Sequence, residues 1–144
     1  MIRPALSLDA GRVGAILSEF IDTTDWMPRI HTRAEDIAFA DGLISKNWVH
    51  VFEGTKMEGF IARHGTKIHA LYVRAEARGQ GIGTALIDHA KSQSDTLELW
   101  TFQANFAAQR FYERHGFLEV IRTDGFGNDE KLPDIQFKWI RRAG

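Results

Sequence analysis

The spacing of apolar residues predicts that the chain opens with a strand and a helix. A short apolar segment over residues 2–8 is typical of a strand, and it ends at the polar Asp9. Behind it, Val13, Ile16 and Phe20 recur at intervals of three or four residues, which places them on one face of a helix. The first part of the chain is therefore expected to fold as strand and amphipathic helix.

A second helix and an antiparallel sheet are predicted next. Thr32 is followed three residues later by Glu35, a capping-box pattern in which each side chain bonds the backbone of the other residue at the start of a helix. Beyond that helix, short turns that contain glycine separate extended runs, as is typical of β-hairpins. The runs predict an antiparallel meander at 48–52, 57–63 and 67–73.

Helices and strands alternate in the rest of the chain. Ile82, Leu86 and Ala90 have helical spacing, and a later helix is expected to end at Gly116. The order β-α-α-β-β-β-α-β-α-β-β predicts a mixed α/β fold. The remaining predicted strands are 96–102, 117–122 and 135–140, and the tail 141–144 is expected to be frayed.

Length and composition limit the class of protein. The 144 residues, 44% of them hydrophobic, predict a single globular domain over 1–144. A net charge of -1 argues against nucleic acid and anionic membranes as partners. The chain has no cysteine and its histidines lack metal-binding spacing, so neither a cysteine nucleophile nor a metal is expected. The N-terminus shows no signal-peptide pattern, which predicts a cytoplasmic protein.

A glycine-rich turn between a strand and a helix is the main candidate for a binding site. The run Arg78-Gly79-Gln80-Gly81-Ile82-Gly83-Thr84 follows the strand that ends at Val73 and leads directly into a helix. Glycines let the backbone approach a ligand closely, and the first N–H groups of a helix attract anions, so a phosphate is expected here. A plain turn into a helix is the alternative. A P-loop would need a lysine before Thr84, and a dinucleotide fingerprint would need a glycine in its place.

The turn resembles the Arg/Gln-x-x-Gly-x-Gly/Ala signature of the GCN5-related N-acetyltransferase (GNAT) superfamily through Arg78, Gly81 and Gly83. Asn105 and Tyr112 are similar to residues of the helix that follows in that family. The resemblance covers residues 2–140. It implies the GNAT fold, a mixed and mostly antiparallel central sheet with helices on both faces, and acetyl-CoA as the cosubstrate.

The resemblance also implies which residues bind acetyl-CoA. The strand before the turn would hydrogen-bond the pantetheine arm through its backbone, and the turn would hold the pyrophosphate with help from the charge of Arg78. Asn105 would touch the pantetheine region, and on local grounds it is equally expected as the N-cap of the last helix. The implied acetyl-CoA-binding residues are Leu71, Tyr72, Val73, Arg78, Gly79, Gln80, Gly81, Ile82, Gly83, Thr84 and Asn105.

The chemistry of acetyl transfer needs a proton donor and a base. Tyr112 matches the family tyrosine that protonates the departing sulfur, although it would also fit as a core residue, and a backbone N–H near Val73 would stabilise the oxyanion. Relatives that acetylate protein N-termini have a glutamate where this chain has Trp100, which cannot accept a proton. His69 and Glu98 are the candidate bases, and a water chain without a side-chain base is the alternative.

The resemblance also implies that two loops, 26–31 and 124–130, form the pocket for the acceptor. Asp129, Glu130 and Asp134 are candidates for attracting an ammonium group, or belong to an acidic solvated loop. The predicted acceptor is a primary amine of a small molecule or peptide, and a homodimer is left open. The alternatives are a catalytically silent acyl-CoA-binding module, which would not need Tyr112, and an interaction domain, which would leave the glycines unexplained.

Overall fold

The computed structural model describes residues 1–142 and has every predicted helix and strand in the predicted order. Residues 143–144, which belong to the expected domain and to the expected frayed tail, lie outside the described part. The helices α1 to α4 span Ala10–Thr23, Arg33–Ser45, Ile82–Gln93 and Phe106–Arg114. The strands β1 to β7 span Ile2–Pro4, Val49–Glu53, Met57–His64, Lys67–Val73, Thr96–Phe102, Leu118–Thr123 and Asp134–Ile140.

The strands form one sheet in the order β1-β2-β3-β4-β5-β7-β6. Every neighbouring pair is antiparallel except β4 and β5, which are parallel. Helices α1 and α2 cover one face, where Val13 and Leu43 pack with Phe60. Helices α3 and α4 cover the other face, where Leu86 packs with Phe137. The predicted mixed sheet with helices on both faces is confirmed.

Two predictions about where ordered elements end are wrong, one for the first strand and one for the C-terminal tail. The first strand ends at Pro4 rather than at residue 8, because Asp9 turns the chain into a short 3-10 helix, Ser7–Asp9. The carboxylate of Asp9, 2% exposed, accepts hydrogen bonds from the Leu6 N–H at 2.7 Å and from Arg3 at 2.8 Å. The Arg3 guanidinium holds the pKa of Asp9 well below its usual range. In the tail that was expected to be frayed, Arg141 is held in place because its Nε donates a 3.0 Å hydrogen bond to Asp95.

The feature that positions the site is the divergence of β4 from β5. The two strands pair only where Lys67 meets Glu98, whereas β5 pairs with β7 along its whole length. On its other side, β4 carries a bulge, since Ala62 and Arg63 of β3 pair with Ala70 and Ile68 and leave His69 without a partner. The sheet therefore opens into a cleft beyond His69, where β4 lacks a second strand.

Among residues 1–142, no helix combines the length and hydropathy that a membrane crossing requires.

Candidate active site

The cleft between β4 and β5 is a cavity of about 550 Å³. Residues 68–73 of β4 and residues 99–102 of β5 form its two walls, and α4 closes one side. Unpaired strand backbone in this cleft can hydrogen-bond an extended ligand arm as an added strand would. Leu71, Tyr72 and Val73 all line the cavity, so the structure brings together the strand residues that the sequence proposed.

The glycine-rich turn has the conformation that anion binding requires. Gly79 and Gly81 have φ of 77° and 81°, in the left-handed region that favours glycine. A Cβ built on either would meet nothing within 4 Å, so the space in front of this backbone is open. No carbonyl or side chain among residues 1–142 accepts a hydrogen bond from the N–H groups of residues 79–84, and the first bond of α3 runs from Ala85 to Gly81. Free N–H donors and the dipole of a helix N-terminus are features that attract an anion.

In the glycine-rich turn, one side chain lines the cavity and other positions contact the neighbouring part of the fold. Arg78 lines the cavity and carries the positive charge nearest the turn. Gly83 packs closely against α4, because a Cβ there would lie 3.2 Å from the ring of Phe111, which would have to shift by a few tenths of an ångström. Thr84 directs its hydroxyl away from the turn to His115, with 3.2 Å between Oγ1 and Nε2, and offers its N–H to an anion. If the turn holds a pyrophosphate as predicted, backbone N–H groups would supply most of the contacts.

Asn105 serves as the N-cap of α4, one of the two roles expected for it. Its side-chain oxygen accepts a 3.0 Å hydrogen bond from the Ala108 N–H. Asn105 also lines the cavity, so the amide end of its side chain remains free to donate to a ligand. The cap and the ligand contact use opposite ends of one amide and are compatible.

Tyr112 reaches the cavity from α4 while its ring packs in the core. The ring lies 5.5 Å from that of Phe117 and 6.2 Å from that of Phe137, and the residue is 8% exposed. Burial, with a smaller contribution from Tyr72, raises the pKa of Tyr112 above its usual value. A phenol with a raised pKa keeps its proton at neutral pH, so Tyr112 is a permanent hydrogen-bond donor in the cavity.

The comparisons with known proteins agree with this arrangement. A sequence model of the acetyltransferase (GNAT) domain matches residues 37–119, which include the cleft strands, the glycine-rich turn and Tyr112. The chain belongs to the GNAT family.

Individual GNAT relatives match over part of the sequence and nearly all of the fold. The peptidyl-lysine N-acetyltransferase YjaB of Salmonella typhimurium is 34% identical over 77 residues, which are 54% of this chain and 53% of that protein. The chain spans about half the length of the curated relatives that head the matches.

Two solved structures show the same fold. The apo form of YjaB from Escherichia coli has a TM-score of 0.81 at 23% identity, over 99% of this chain and 98% of that one. YncA from Salmonella typhimurium, solved with its cofactor acetyl-CoA, has a TM-score of 0.74 at 16% identity, over 100% of this chain and 95% of that one.

The two candidate bases lie differently in this GNAT structure. His69 lines the cavity at the bulge, with its ring stacked 4.7 Å from the ring of Trp48. Burial and the nearby charges of His64, Lys67 and Lys46 lower the pKa of His69, which favours the neutral form that a base needs. Glu98 sits at the pairing point with Lys67 and is outside the described lining of the cavity. Position therefore favours His69 over Glu98.

The acceptor loops are only partly as expected. Asp134 is occupied within its own loop, where it accepts hydrogen bonds from Thr123 Oγ1 and, at 3.2 Å, from Asn128 Nδ2. Burial, with a smaller contribution from the charge of Glu130, raises the pKa of Tyr72 to about 12. In the loop 26–31, Trp26 lines the cavity, and Arg29 holds the loop by bonding Asp22 and Asp36 at 2.7 and 2.9 Å.

Sequence reasoning missed several residues that line the acceptor side of the cavity. The sequence pattern places Phe20 in an amphipathic helix and Phe102 in a strand, and it does not single out Asp25. A signal was present for Phe102, since it alternates with the buried Leu97 and Leu99 and must face the other side of the sheet. Trp100 shares that face and is 50% exposed.

Proposed function

We propose that this GNAT chain is an acetyl-CoA-dependent N-acetyltransferase that acetylates a primary amine of a peptide or small molecule. The observation that carries the proposal is one continuous cavity with an anion site of free N–H groups at one end and a buried tyrosine along its wall. The relative named peptidyl-lysine N-acetyltransferase YjaB supports a lysine side chain as the first acceptor to try.

The residues fit acetyl-CoA in three places. The free N–H groups of residues 79–84 would hold the pyrophosphate, the open edge of β4 would bond the pantetheine arm, and the amide of Asn105 would add a donor. When bound, acetyl-CoA supplies an activated thioester. A silent acyl-CoA-binding module would use the same features, so they support both functions.

Tyr112 distinguishes the enzyme from the silent module. Its raised pKa keeps the phenol protonated at neutral pH, so it can donate a hydrogen bond to a sulfur that is becoming a thiolate. A phenol reference pKa near 10 exceeds that of a thiol, near 8.5, so stabilising the thiolate by hydrogen bonding accounts for more of its effect than complete proton transfer. His69, which is favoured as a neutral base by position and by its lowered pKa, would take a proton from the acceptor ammonium, so that the neutral amine can attack the thioester carbonyl.

The test follows release of free CoA with a thiol reagent. The chain contains no cysteine, so the protein itself contributes no thiol signal. We expect release that requires both the protein and an amine, first with a lysine-containing peptide blocked at its N-terminus, then with polyamines, amino acids and free N-terminal peptides. Stabilisation of the fold by acetyl-CoA without release with any amine would favour the silent module. No stabilisation at all would contradict the donor site.

A further inference from the structure

The proposed base, His69, belongs to a group of side chains that surround one indole ring. The imidazole of His69 is stacked on the ring of Trp48, with 4.7 Å between the ring centroids and 12° between the planes. The imidazole of His64, on β3, is stacked on the same side chain at 4.7 Å and 13°. The Nζ of Lys46 lies 4.6 Å from the centre of the indole. We call these four side chains the Trp48 stack.

The backbone of Trp48 is held on two sides. Its N–H donates to the Leu43 carbonyl of α2 at 3.2 Å, and its carbonyl accepts from the Arg63 N–H of β3 at 2.8 Å. Asn47, with φ of 63°, turns the chain between α2 and β2 in the left-handed region, which asparagine adopts more readily than most residues. The indole is half-buried and packs on the α1–α2 side of the sheet. Trp48 therefore offers a ring face in a fixed place.

The bulge in β4 brings His69 to this ring face. Ile68 packs in the core beneath α3 and α4, whereas Ala70 packs in the core beneath α1 and α2. A regular strand would place residues 68 and 70 on one face of the sheet, and the bulge breaks that alternation at His69. Stacking takes up the face of the imidazole and leaves its two nitrogens at the ring edge. Because His69 also lines the cavity, an edge nitrogen is available to an acceptor amine.

Positive groups surround His69 on three neighbouring elements. Burial and these groups lower the pKa of His69, and they are His64 on β3, Lys67 on β4 and Lys46 after α2. On β5, Glu98 lies opposite Lys67. A proton on His69 would add a second cation to an indole that already carries the ammonium of Lys46, and like charges repel. The Trp48 stack therefore favours a neutral imidazole.

We propose that Trp48 is a positioning residue for the base: its ring face fixes the plane of the His69 imidazole, and the Lys46 ammonium on the same indole disfavours the protonated imidazole. The inference rests on the proposed function, with His69 as its base. Trp48 is outside the described lining of the cavity and acts on the acceptor only through His69. Without the indole, His69 would be present but free to change rotamer, so fewer imidazoles would point at the amine.

The first measurement follows the His69 imidazole by NMR, without an acceptor. The Cε1–H resonances of the six histidines are recorded against pH, and His69→Phe identifies the resonance of His69. The face of an indole shields a proton stacked on it. Trp48→Leu should therefore move the His69 resonance downfield.

The same titration tests the charge on the indole. Lys46→Met keeps a flexible chain over the ring and removes the ammonium, so it should raise the pKa of His69 by about half a pH unit, the size expected of one nearby charge screened by water. Lys46 is exposed, so this variant serves even if Trp48→Leu does not fold. Lys56→Met is the matched control, since Lys56 is exposed in the β2–β3 turn at the other end of β2, and it should leave the pKa of His69 unchanged.

The second measurement is kcat/KM against pH with a lysine-containing peptide. In Trp48→Leu the plateau should fall about tenfold while the limb of His69 remains, because the base is present but poorly placed. Trp48→Phe supplies a ring face again and should recover most of the plateau. In Lys46→Met the limb should move to higher pH, because removing a positive charge favours the imidazolium.

Trp139→Leu is the matched control for Trp48→Leu. Trp139 is also half-buried and has a lysine over its ring, with the Nζ of Lys91 at 5.0 Å, but no histidine among residues 1–142 is stacked on it. This variant should keep the plateau within about threefold of wild type. Stabilisation by acetyl-CoA, measured on every variant, shows that the donor site and the fold are intact.

Three results overturn the inference. A His69 resonance that does not move in Trp48→Leu shows that the rings are not stacked in solution. A plateau that is unchanged in Trp48→Leu, or that Trp48→Phe does not recover, shows that the indole does not position the base. A His69 that titrates in Lys46→Met as in wild type shows that the ammonium has no effect on it. Failure of the wild-type protein to acetylate any amine defeats the proposed function and the inference with it, and resonances that still show the stack distinguish this failure from the other three.

Discussion

The two ends of the cavity are built in different ways. The donor end uses the backbone of one continuous stretch, from Leu71 through the turn to Thr84, and its donors are N–H groups that any residue could supply. The acceptor end is assembled from side chains that lie far apart in the chain, such as Phe20, Trp26 and Phe102.

This difference explains which end is open to variation. A backbone site constrains only the conformation of the turn, and glycines at positive φ meet that constraint. A side-chain site can change its ligand by substitutions in separate loops without altering the fold. We therefore expect the proposed donor end to vary less among relatives than the proposed acceptor end.

Gly81→Glu should have the largest effect, because it tests the donor end directly. The substitution places a side chain with a negative charge in front of the free N–H groups and removes the residue that tolerates φ of 81°. We expect the stabilisation by CoA to be abolished in a thermal unfolding assay.

Gly65→Glu is the matched control for Gly81→Glu. Gly65 also has a positive φ, 61°, with nothing within 4 Å of a built Cβ, but it lies in the β3–β4 turn. Both variants should lose about 1–2 kcal/mol of stability from backbone strain, and only Gly81→Glu should lose CoA binding. Equal CoA stabilisation in the two variants would show that the turn does not hold the pyrophosphate.

Tyr112→Phe tests the point where the two ends meet. The substitution keeps the ring contacts with Phe117 and Phe137 and removes only the hydroxyl. We expect kcat to fall by about 10²–10⁴-fold, as for a lost general acid, while CoA binding stays unchanged. A rate within about threefold of wild type, in a variant that still binds CoA, would make Tyr112 a core residue.

The fold and the conformation of the glycine-rich turn could be predicted from the sequence because their signals are local, and binding of a pyrophosphate by that turn stays a prediction. The apolar periodicity predicted each helix and strand, the capping box at Thr32 forms as expected with a 3.1 Å bond to the Glu35 N–H, and the GNAT resemblance is confirmed. The early end of β1 was missed because apolar periodicity does not report side-chain hydrogen bonds, here those that the Asp9 carboxylate accepts from the nearby Leu6 N–H and Arg3.

The acceptor end could not be predicted because its parts meet only after folding. The spacing of apolar residues places Phe20 in a helix and Phe102 in a strand. Nothing in the local sequence shows that both rings contact Trp26 in the folded chain. Asp134 resembled a ligand-attracting carboxylate in the sequence, yet Thr123 and Asn128 occupy it in the fold. Whether a polar side chain is free or occupied depends on tertiary contacts that composition does not report.

A pH profile sharpens the assignment of the base. Because burial and nearby positive charges lower the pKa of His69, kcat/KM should rise with pH through an apparent pKa below the usual histidine value. His69→Phe keeps an aromatic ring on Trp48 and should remove this limb, with kcat lower by about 10²–10⁴-fold.

Glu98→Gln is the comparison for the base. Because Glu98 lies outside the described lining of the cavity, this variant should keep the wild-type profile. Loss of the limb in Glu98→Gln instead of His69→Phe would assign the base to Glu98. A wild-type profile in both variants would mean that water removes the proton from the amine without a side-chain base.

The smallest expected effect separates the two roles of Asn105. Asn105→Ser keeps an N-cap oxygen for the Ala108 N–H but removes the amide that faces the cavity, whereas Asn105→Ala removes both. We expect Asn105→Ser to raise the Kd for CoA about 2- to 10-fold, the loss of one hydrogen bond of about 0.5–1.5 kcal/mol, with little change in Tm.

Asn105→Ala should show the same Kd and also lose about 1 kcal/mol of stability from the missing cap. If Asn105→Ser binds CoA as wild type does, the residue is a cap alone, and the donor end is formed by backbone and Arg78 without it.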